Sequence, residues 1–369
     1  MPSDLSSTPG SAPGGVRLAD LTTLRLGGPA PSLRTATTAQ DVVDAVGTAD
    51  RAGTGVLVVG GGSNLVVADA GVSTPVVRVA VPGFTVRPDP ADSDGALVTI
   101  GAGVDWDEAV ARTLEAGFGG LTPLSGIPGS TGATPVQNVG AYGTEVSDVL
   151  REVTVLDRRS GQVRPLTAAE LQLGYRHSVL RGTDRAVVLD VTFALRRGPV
   201  PVRYAELART LGVPLGGSAP AAAVRAAVLE LRRAKGMVLE PGDPDTCSAG
   251  SFFTNPILDA DRARDADEAI RARLGADVTY PAYPATTAAG GPGTKLSAAW
   301  LIDRAGFAKG HPGPGGRVAV SGKHTLALTN RGAGTTADLL ELAREIAGGV
   351  RERFRVDLAP EPVFVGVRW

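Results

Sequence analysis

Residues 117–143 carry no charged side chain and are rich in glycine, proline, serine and threonine. A loop of this length inside a compact chain is uncommon, and such loops are in general either functional or disordered. Disordered segments are usually rich in charge, so the composition favours a functional loop. Glycine-rich backbone offers many N–H donors and no repulsion to an anion, which predicts a site for a large phosphate-bearing ligand.

A second glycine loop, residues 60–64 (GGGSN), follows the apolar run at residues 56–59, which predicts a buried strand. The loop is not a Walker loop, because no Gly-Lys-Ser/Thr occurs, and no GxGxxG follows as in Rossmann dinucleotide sites. For this pentapeptide alone, an ordinary strand-ending turn is an equally good interpretation. Together, two uncharged loops separated by β structure fit a dinucleotide better than a single phosphate.

The composition excludes several other classes of protein. The 369 residues include 37 Lys+Arg and 38 Asp+Glu, a formal net charge of −1, so the chain does not bind nucleic acid through massed positive charge. One cysteine, Cys247, excludes a disulfide scaffold and multi-cysteine metal or iron–sulfur sites. Three scattered histidines argue against a zinc enzyme. We therefore predict no bound metal.

The sequence also bears on location. No uncharged apolar run approaches the ~20 residues of a membrane span, and the first residues lack the basic and apolar regions of a secretory signal. The serine, proline and glycine content of residues 1–16 is typical of a disordered tail. We expect a cytoplasmic monomer with no membrane partner.

Helices and strands mix without a regular βαβ alternation, which predicts α+β domains rather than one doubly wound sheet. Thr38 with Asp41, and Asp105, are candidate helix N-caps, and Gly117 would end the second helix. Apolar spacing predicts amphipathic helices over Ala221–Ala234 and Thr336–Phe354. Strands are predicted at residues 56–59, 76–81, 97–100, 153–156 and 187–195, with an extended segment at 356–367 and a domain boundary near 213–218.

Three groups along the chain have catalytic potential. Arg176 lies beside aromatic and hydroxyl residues, and an arginine can hold a carboxylate or an enolate even when it is buried. Ser251 lies among small and aromatic residues, where its hydroxyl could donate a proton, although the GxSxG elbow of hydrolases is absent. Glu361 lies between two prolines, and burial there would raise its pKa towards use as a general acid.

Each of these residues also has an ordinary structural interpretation. Arg176 could be a surface arginine, Ser251 part of a turn before a strand, and Glu361 an exposed residue on an edge strand. Lys235 follows the predicted helix at Ala221–Ala234, where a cation is favourable in any case. No one of these groups identifies a function by itself.

In chain order, however, these segments resemble the UDP-N-acetylenolpyruvoylglucosamine reductases (MurB), flavoenzymes of peptidoglycan synthesis within the vanillyl-alcohol-oxidase/PCMH-type FAD-binding superfamily. The resemblance runs from about Leu21 to Val367. The first three of the matching motifs occur across the superfamily, and the last four in this order are more specific. The motifs are residues 23–28 (TLRLGG), 60–64 (GGGSN), 126–143, 174–178 (GYRHS), 249–256 (AGSFFTNP), 295–303 (KLSAAWLID) and 360–361 (PE).

The resemblance implies a two-part PCMH-type FAD-binding module and a C-terminal α+β substrate-binding domain. The first FAD-binding subdomain would comprise residues 17–84 with the return of 355–369, and the second residues 85–214. The substrate-binding domain would comprise residues 215–354.

The resemblance also implies an FAD-dependent oxidoreductase with noncovalent FAD and NADPH as co-substrate. The substrate would be UDP-N-acetylglucosamine enolpyruvate, which takes hydride from the flavin at C3 and a proton at C2 to give UDP-N-acetylmuramate. Ser251 would deliver that proton. Arg176 and Glu361 would polarise the substrate carboxylate and stabilise the enol.

Further site residues follow from the same resemblance. Those implied for FAD are Gly60, Gly61, Gly62, Ser63, Asn64, Gly126, Ile127, Pro128, Gly129, Gly132, Ala133, Gln137, Asn138, Gly140 and Ala141. Those implied for the substrate are Tyr142, Tyr175, Lys235, Asn255 and Tyr204, the last matching the tyrosine loop of the type I subgroup. The chain departs from the family pattern after Lys235 and again at residues 321–324, so we assign His324 no substrate role.

Two other functions stay open. An oxidase or dehydrogenase of the same superfamily that acts on another substrate would carry the same glycine loops. A UDP-sugar or flavin sensor would carry them without catalysis, although the joint presence of Arg176, Ser251 and Glu361 argues against a sensor.

Overall fold

The structure is a computed structural model and describes residues 15–369. Helices and mostly antiparallel strands are mixed along the chain, and the predicted α+β class is confirmed. The predicted tail lies outside the described residues except for Gly15 and Val16. Val16 already belongs to a strand, Val16–Arg17, which pairs with Pro29–Ala30.

A small parallel sheet begins the fold. Its central strand, Val76–Val79, lies between Leu33–Ala36 and Leu57–Val59. The helix that follows the first strand, α1 (Ala39–Ala52), begins where predicted. The Thr38 hydroxyl accepts a hydrogen bond from the backbone of Asp41 and the Asp41 carboxylate accepts one from the backbone of Thr38, a capping box.

A five-stranded antiparallel sheet forms the second part. Its strands, in spatial order, are Gln162–Thr167, Leu150–Asp157, Ala186–Arg196, Asp92–Gly101 and Phe84–Asp89. Helix α2 (Trp106–Glu115) begins at the predicted cap Asp105 and buries Trp106 against Phe193 of the sheet. A one-turn helix, α3 (Ala168–Leu171), directly follows the edge strand Gln162–Thr167.

Two helices after this sheet share a small core of their own. Helices α4 (Ala205–Leu211) and α5 (Ala221–Ala234) pack through Leu207, Val224 and Val228, and short strands at Val200–Pro201 and Ser218–Ala219 pair beside them. The bounds of α5 are those that apolar spacing predicts. The predicted domain boundary at residues 214–215 lies between the two helices, and the division into domains stays a prediction.

The C-terminal part surrounds α8 (Thr336–Phe354), whose bounds also match the prediction. Two three-stranded sheets and the helices α6 (Ala260–Leu274) and α7 (Ala298–Arg304) pack around its apolar side chains. The strands, in spatial order, are Ser248–Ser251, Ala327–Asn330 and Val318–Val320 in one sheet, and Ile257–Leu258, Pro292–Leu296 and Ala282–Thr286 in the other.

The chain then returns to its first part. The strand Val363–Val365 pairs in parallel with Leu65–Val67 and is the only regular strand in the extended segment predicted at residues 356–367. A short pair, Gly140–Ala141 with Thr144–Glu145, lies near the end of the uncharged loop. No helix among residues 15–369 combines the length and the apolar character needed to cross a membrane.

A substitution at Leu339 in α8 tests the packing of the apolar core in the C-terminal part. Its side chain is fully buried, so Leu339→Ala should lower the free energy of unfolding by about 2–5 kcal/mol. Leu274→Ala, at the end of α6 with 38% of the residue exposed, is the matched control and should change it by less than about 0.5 kcal/mol. Urea unfolding followed by circular dichroism measures both. Equal losses would contradict this packing.

Asp338 in the first turn of α8 tests the acid dependence of stability. Its carboxylate accepts a hydrogen bond from Arg317 Nε at 2.9 Å and another from Thr335 N, and the bond from Arg317 is the main reason why its pKa is lowered. A lowered pKa in the folded state gives stability that is present above the ordinary pKa of 3.8 and is lost as the pH falls below it.

Replacing Asp338 by asparagine should therefore destabilise the protein most at neutral pH. The difference between the wild type and Asp338→Asn should shrink as the pH falls below about 4. Urea midpoints measured across this range give the difference, and Asp261→Asn on the exposed face of α6 is the control. A difference that stays constant down to acid pH would show that the ion pair does not stabilise α8.

Candidate active site

A cavity of about 860 Å³ lies where the parts of the fold meet. It is lined by the first glycine loop at residues 60–64, by residues 127–129 of the uncharged loop, and by the returning strand Val363–Val365. Ser251 and Glu361 line the same cavity. Its volume is in the range of sites that enclose a cofactor or a large ligand.

The two glycine loops approach each other so closely that side chains are excluded between them. A Cβ on Gly61 would lie 2.6 Å from the Cα of Gly129, and a Cβ on Gly129 would lie 2.6 Å from Ser63 Oγ. Gly129 also has φ +129°, a conformation that favours glycine. Glycine is therefore required at both positions of this contact.

A chain of side-chain hydrogen bonds joins these loops to the last segment of the protein. Asn64 Nδ2 donates to Gln137 Oε1 at 3.1 Å, and Gln137 Nε2 donates to the carbonyl oxygen of Glu361 at 3.2 Å. Gln137 is thus a bridge between three segments that are distant in sequence.

Most of the residues expected to bind FAD line this cavity. They are Gly60, Gly61, Gly62, Ser63, Asn64, Ile127, Pro128, Gly129, Gly132, Ala133, Gln137, Gly140 and Ala141. Gly126 does not line it, and its backbone N–H donates to Asp107 Oδ1. Asn138 does not line it either, and is buried, donating to Glu145 Oε2 at 2.8 Å and to the carbonyl of Gly174 at 3.0 Å.

Arg176 and Glu361 form an ion pair at the cavity wall. Arg176 Nε lies 2.9 Å from Glu361 Oε1, and Arg176 Nη2 donates to the carbonyl of Gly140 at 2.8 Å. Burial raises the pKa of Glu361, and the charge of Arg176 offsets this rise only in part. Glu361 is thus not the exposed edge-strand residue of the alternative interpretation.

The backbone that carries Arg176 is strained. Tyr175 and Arg176 form the loop between Gly174 and His177, which are joined by two backbone hydrogen bonds, and Arg176 has φ +52°. Asn138 and Tyr142 also have positive φ, +44° and +50°. Non-glycine residues in this region cost free energy and persist only where the surrounding structure holds them, which is frequent at functional sites.

Ser251 lies at an irregularity in its strand. The pairing with Ala327–Asn330 shifts register between Ser248 and Ser251, and Gly250 has φ +73°. Such a bulge changes the direction in which a side chain points. The next residue, Phe252, accepts a hydrogen bond from the backbone N–H of Glu361 at 2.9 Å, so Ser251 and Glu361 lie on directly connected segments.

Only part of the set expected to bind substrate lines the cavity. Tyr142, Tyr204 and Lys235 do so, with the two tyrosine rings edge to face at 5.5 Å. Lys235 Nζ lies 2.5 Å from Glu206 Oε2 and 5.9 Å from the centre of the Tyr142 ring. Burial raises the pKa of Tyr142 to about 12.

Tyr175 and Asn255 do not line the cavity. The Tyr175 ring lies between Arg176 and Lys295, with Lys295 Nζ 5.2 Å from the ring centre. Asn255 Oδ1 accepts a hydrogen bond from the backbone of Ala298 at the start of α7. Neighbouring residues of both motifs, Arg176 and Ser251, do line the cavity, and the substrate role of Tyr175 and Asn255 stays a prediction.

Sequence reasoning missed three titratable residues of the cavity wall, Arg158, Asp184 and Arg232, and assigned no substrate role to a fourth, His324. Burial and the nearby Lys235 lower the pKa of His324 to about 4, so this histidine is neutral at pH 7. An arginine within a helix has no sequence signal that distinguishes a buried position from an exposed one. No cluster of three or more metal-ligating side chains occurs among residues 15–369.

The site fits FAD. Gly60, Gly61, Gly62 and Gly129 contribute glycine backbone to its wall, and glycine-rich backbone of this kind can bind a diphosphate through its N–H groups. Residues 31–167 match a family model described as an FAD binding domain. The chain is accordingly a flavoprotein of the PCMH-type FAD-binding superfamily.

The comparisons narrow this class to one family. Residues 243–365 match the model described as UDP-N-acetylenolpyruvoylglucosamine reductase, C-terminal domain. Curated proteins of that name are 58% identical in Saccharopolyspora erythraea, over 96% of each chain, and 54% identical in Nocardia farcinica, over 99% of this chain and 92% of the relative. The chain belongs to the UDP-N-acetylenolpyruvoylglucosamine reductase family and is an FAD-dependent oxidoreductase of peptidoglycan synthesis.

A solved structure agrees. The crystal structure of UDP-N-acetylenolpyruvylglucosamine reductase (MurB) from Thermus caldophilus matches with a TM-score of 0.63 at 26% identity, covering 95% of this chain and 98% of that one.

The close approach of the glycine loops generates a test. Gly61→Ala would place a methyl group against the Gly129 backbone, forcing the loops apart and weakening FAD affinity by roughly 10–100-fold. Gly348→Ala in α8 is the control, because a Cβ there meets nothing within 4 Å. The ratio of flavin to protein absorbance after gel filtration measures retained FAD. Full retention in Gly61→Ala would refute the role of this contact.

Proposed function

We propose that this protein reduces UDP-N-acetylglucosamine enolpyruvate to UDP-N-acetylmuramate, with NADPH as co-substrate. The observation that carries the proposal is one cavity in which Arg176, Ser251 and Glu361 face the glycine cradle. Relatives that carry this reductase name and cover nearly the whole chain support it. FAD, held noncovalently by the two glycine loops, supplies hydride transfer from NADPH to C3 of the enolpyruvyl group.

Arg176 and Glu361 would hold the carboxylate of the substrate. Arg176 keeps its charge when buried, and its contacts with Gly140 and Glu361 fix the orientation of the guanidinium. Burial raises the pKa of Glu361, so this carboxyl group is protonated more readily than an exposed glutamate, although the ion pair with Arg176 opposes protonation. When it is protonated, it can donate a hydrogen bond to an anionic oxygen. The pair would thereby stabilise the negative charge of an enol-like intermediate.

Ser251 would donate the proton to C2. The bulge at Gly250 directs its side chain towards the cavity, and the neighbouring Phe252 and Phe253 are buried. Addition of hydride at C3 and of a proton at C2 saturates the double bond, so no further reactant is required. A hydroxyl in a mostly apolar setting is a suitable donor to a strongly basic carbon.

Tyr204 and Lys235 would contact the nucleotide part of the substrate. The Tyr204 side chain is partly exposed at the rim and packs on Tyr142, a position from which it can cover a ligand, as the type I tyrosine loop does. Tyr175 and Asn255 remain proposed substrate contacts, although neither lines the cavity. A cytoplasmic monomer is part of this proposal, and gel filtration tests the oligomeric state.

Ser251→Ala separates the two half-reactions. Reduction of the flavin by NADPH should be unchanged, whereas its reoxidation by the enolpyruvyl nucleotide should slow by roughly 10²–10⁴-fold, the usual contribution of a positioned proton donor. Anaerobic stopped-flow absorbance of the flavin measures each step. Ser73→Ala, at an exposed loop residue, is the matched control. Equal losses in both half-reactions would refute the assigned role.

Stopped-flow absorbance of the flavin also distinguishes the proposed reductase from the two alternative functions, an oxidase and a sensor. The reductase requires reoxidation of the flavin by the enolpyruvyl nucleotide. Reoxidation by oxygen with turnover of simple sugars, and none by the nucleotide, would instead identify an oxidase of this superfamily. Ligand binding without NADPH consumption would identify a sensor.

A further inference from the structure

Arg232 is a buried cation without a countercharge. It lies in the last turn of α5, lines the cavity, and has only 7% of its surface exposed. Arg232 donates one hydrogen bond, from its Nη2 to the carbonyl oxygen of Met237 at 2.7 Å. Its Nε has no hydrogen-bond partner among the residues that the structure describes.

The other cations of the cavity wall differ in this respect. Arg158 lies 2.5 Å from Asp50, Arg176 2.9 Å from Glu361, and Lys235 2.5 Å from Glu206. Within residues 15–369, no carboxylate forms an ion pair with Arg232. The nearby Asp107 is already held by Arg225 at 2.6 Å.

The groups around Arg232 do not neutralise it. Burial lowers its pKa to about 10, so the guanidinium keeps its charge at neutral pH. Tyr142, with a pKa raised to about 12, and His324, with a pKa lowered to about 4, are both uncharged there. The opposite charges of Lys235 and Glu206, which form an ion pair, cancel each other. The protein's own groups therefore leave one positive charge on this wall uncompensated, an arrangement that is costly unless an anion of FAD or of the substrate supplies the countercharge. The binding tests below use FAD-loaded protein, in which a partner on FAD would leave the affinity for every substrate probe unchanged.

We propose that Arg232 is an anion-binding residue of the substrate site, whose guanidinium pairs with an oxyanion of the bound nucleotide. The identity of the nucleotide rests on the proposed function, whereas the need for an anion rests on burial and charge alone. The enolpyruvyl nucleotide carries two such groups, its carboxylate and its diphosphate. Either would accept the hydrogen bond that Nε leaves unused.

Binding to the oxidised, FAD-loaded protein tests the proposal. The probes are the enolpyruvyl nucleotide, UDP-N-acetylglucosamine, which has the diphosphate but no enolpyruvyl carboxylate, and inorganic pyrophosphate, each measured by calorimetry. Arg232→Met should weaken affinity for at least one probe by about 10- to 100-fold, the value of a charged hydrogen bond. Arg232→Lys, which keeps the charge but loses the planar fork, should be intermediate.

The probes also distinguish the two oxyanions. Weaker binding of all three probes to Arg232→Met assigns the diphosphate, and weaker binding of the enolpyruvyl nucleotide alone assigns the carboxylate. The control is Arg233→Met, because Arg233 is exposed and pairs only loosely with Glu240. Unchanged affinity for every probe in Arg232→Met would overturn the proposal.

Stability of the nucleotide-free protein gives a readout that is independent of turnover. Removal of an unpaired buried charge should raise the Tm of Arg232→Met above that of the wild type, even as binding weakens. A lower Tm together with lost binding would mean that Arg232 is structural, and would overturn the proposal. A wild type that binds pyrophosphate through Arg232 but no enolpyruvyl nucleotide would refute the proposed function while leaving this inference intact.

Discussion

The contact between Gly61 and Gly129 is the constraint on which the cavity depends. Two backbones meet there at a distance that admits no side chain, and the loops on either side belong to different sheets of the fold. The parallel sheet and the antiparallel sheet are thus held together at their loops. The contact borders the cavity that we propose to hold FAD, so a change that separates the loops should also change that cavity.

Polar contacts connect this part of the cavity wall to the residues that we propose to be catalytic. Gln137 reaches Asn64 on one side and the backbone of Glu361 on the other, and Glu361 in turn holds Arg176. The strained backbone at Arg176 and Tyr142 lies on the same wall. Each group is thus held by a partner from another segment of the protein, which lowers the cost of orienting the reacting groups.

The sequence predicted those elements in which local signals agree with the final structure. Helices α1, α2, α5 and α8 have caps or a clear apolar face. Helix α6 was missed because Asp and Arg dominate it and only Ala266 and Ile270 are buried. The motifs located the cavity, but they could not show that Asn138, Tyr175 and Asn255 are not among its lining residues, nor that Arg232 is. Which residues line the cavity depends on packing between distant segments.

The return of the chain at Val363–Val365 has a consequence for biosynthesis. The cavity is incomplete until this strand pairs with Leu65–Val67, and the hydrogen bond from Gln137 to Glu361 spans 224 positions. At ribosomal rates of ~5–20 residues per second, roughly 10–45 s pass between the synthesis of Gln137 and that of Glu361. During that interval the nascent chain exposes apolar strand edges and lacks the full pocket that would retain flavin. A chain that ends before Pro360 therefore lacks both the last wall of the cavity and the carboxylate that pairs with Arg176.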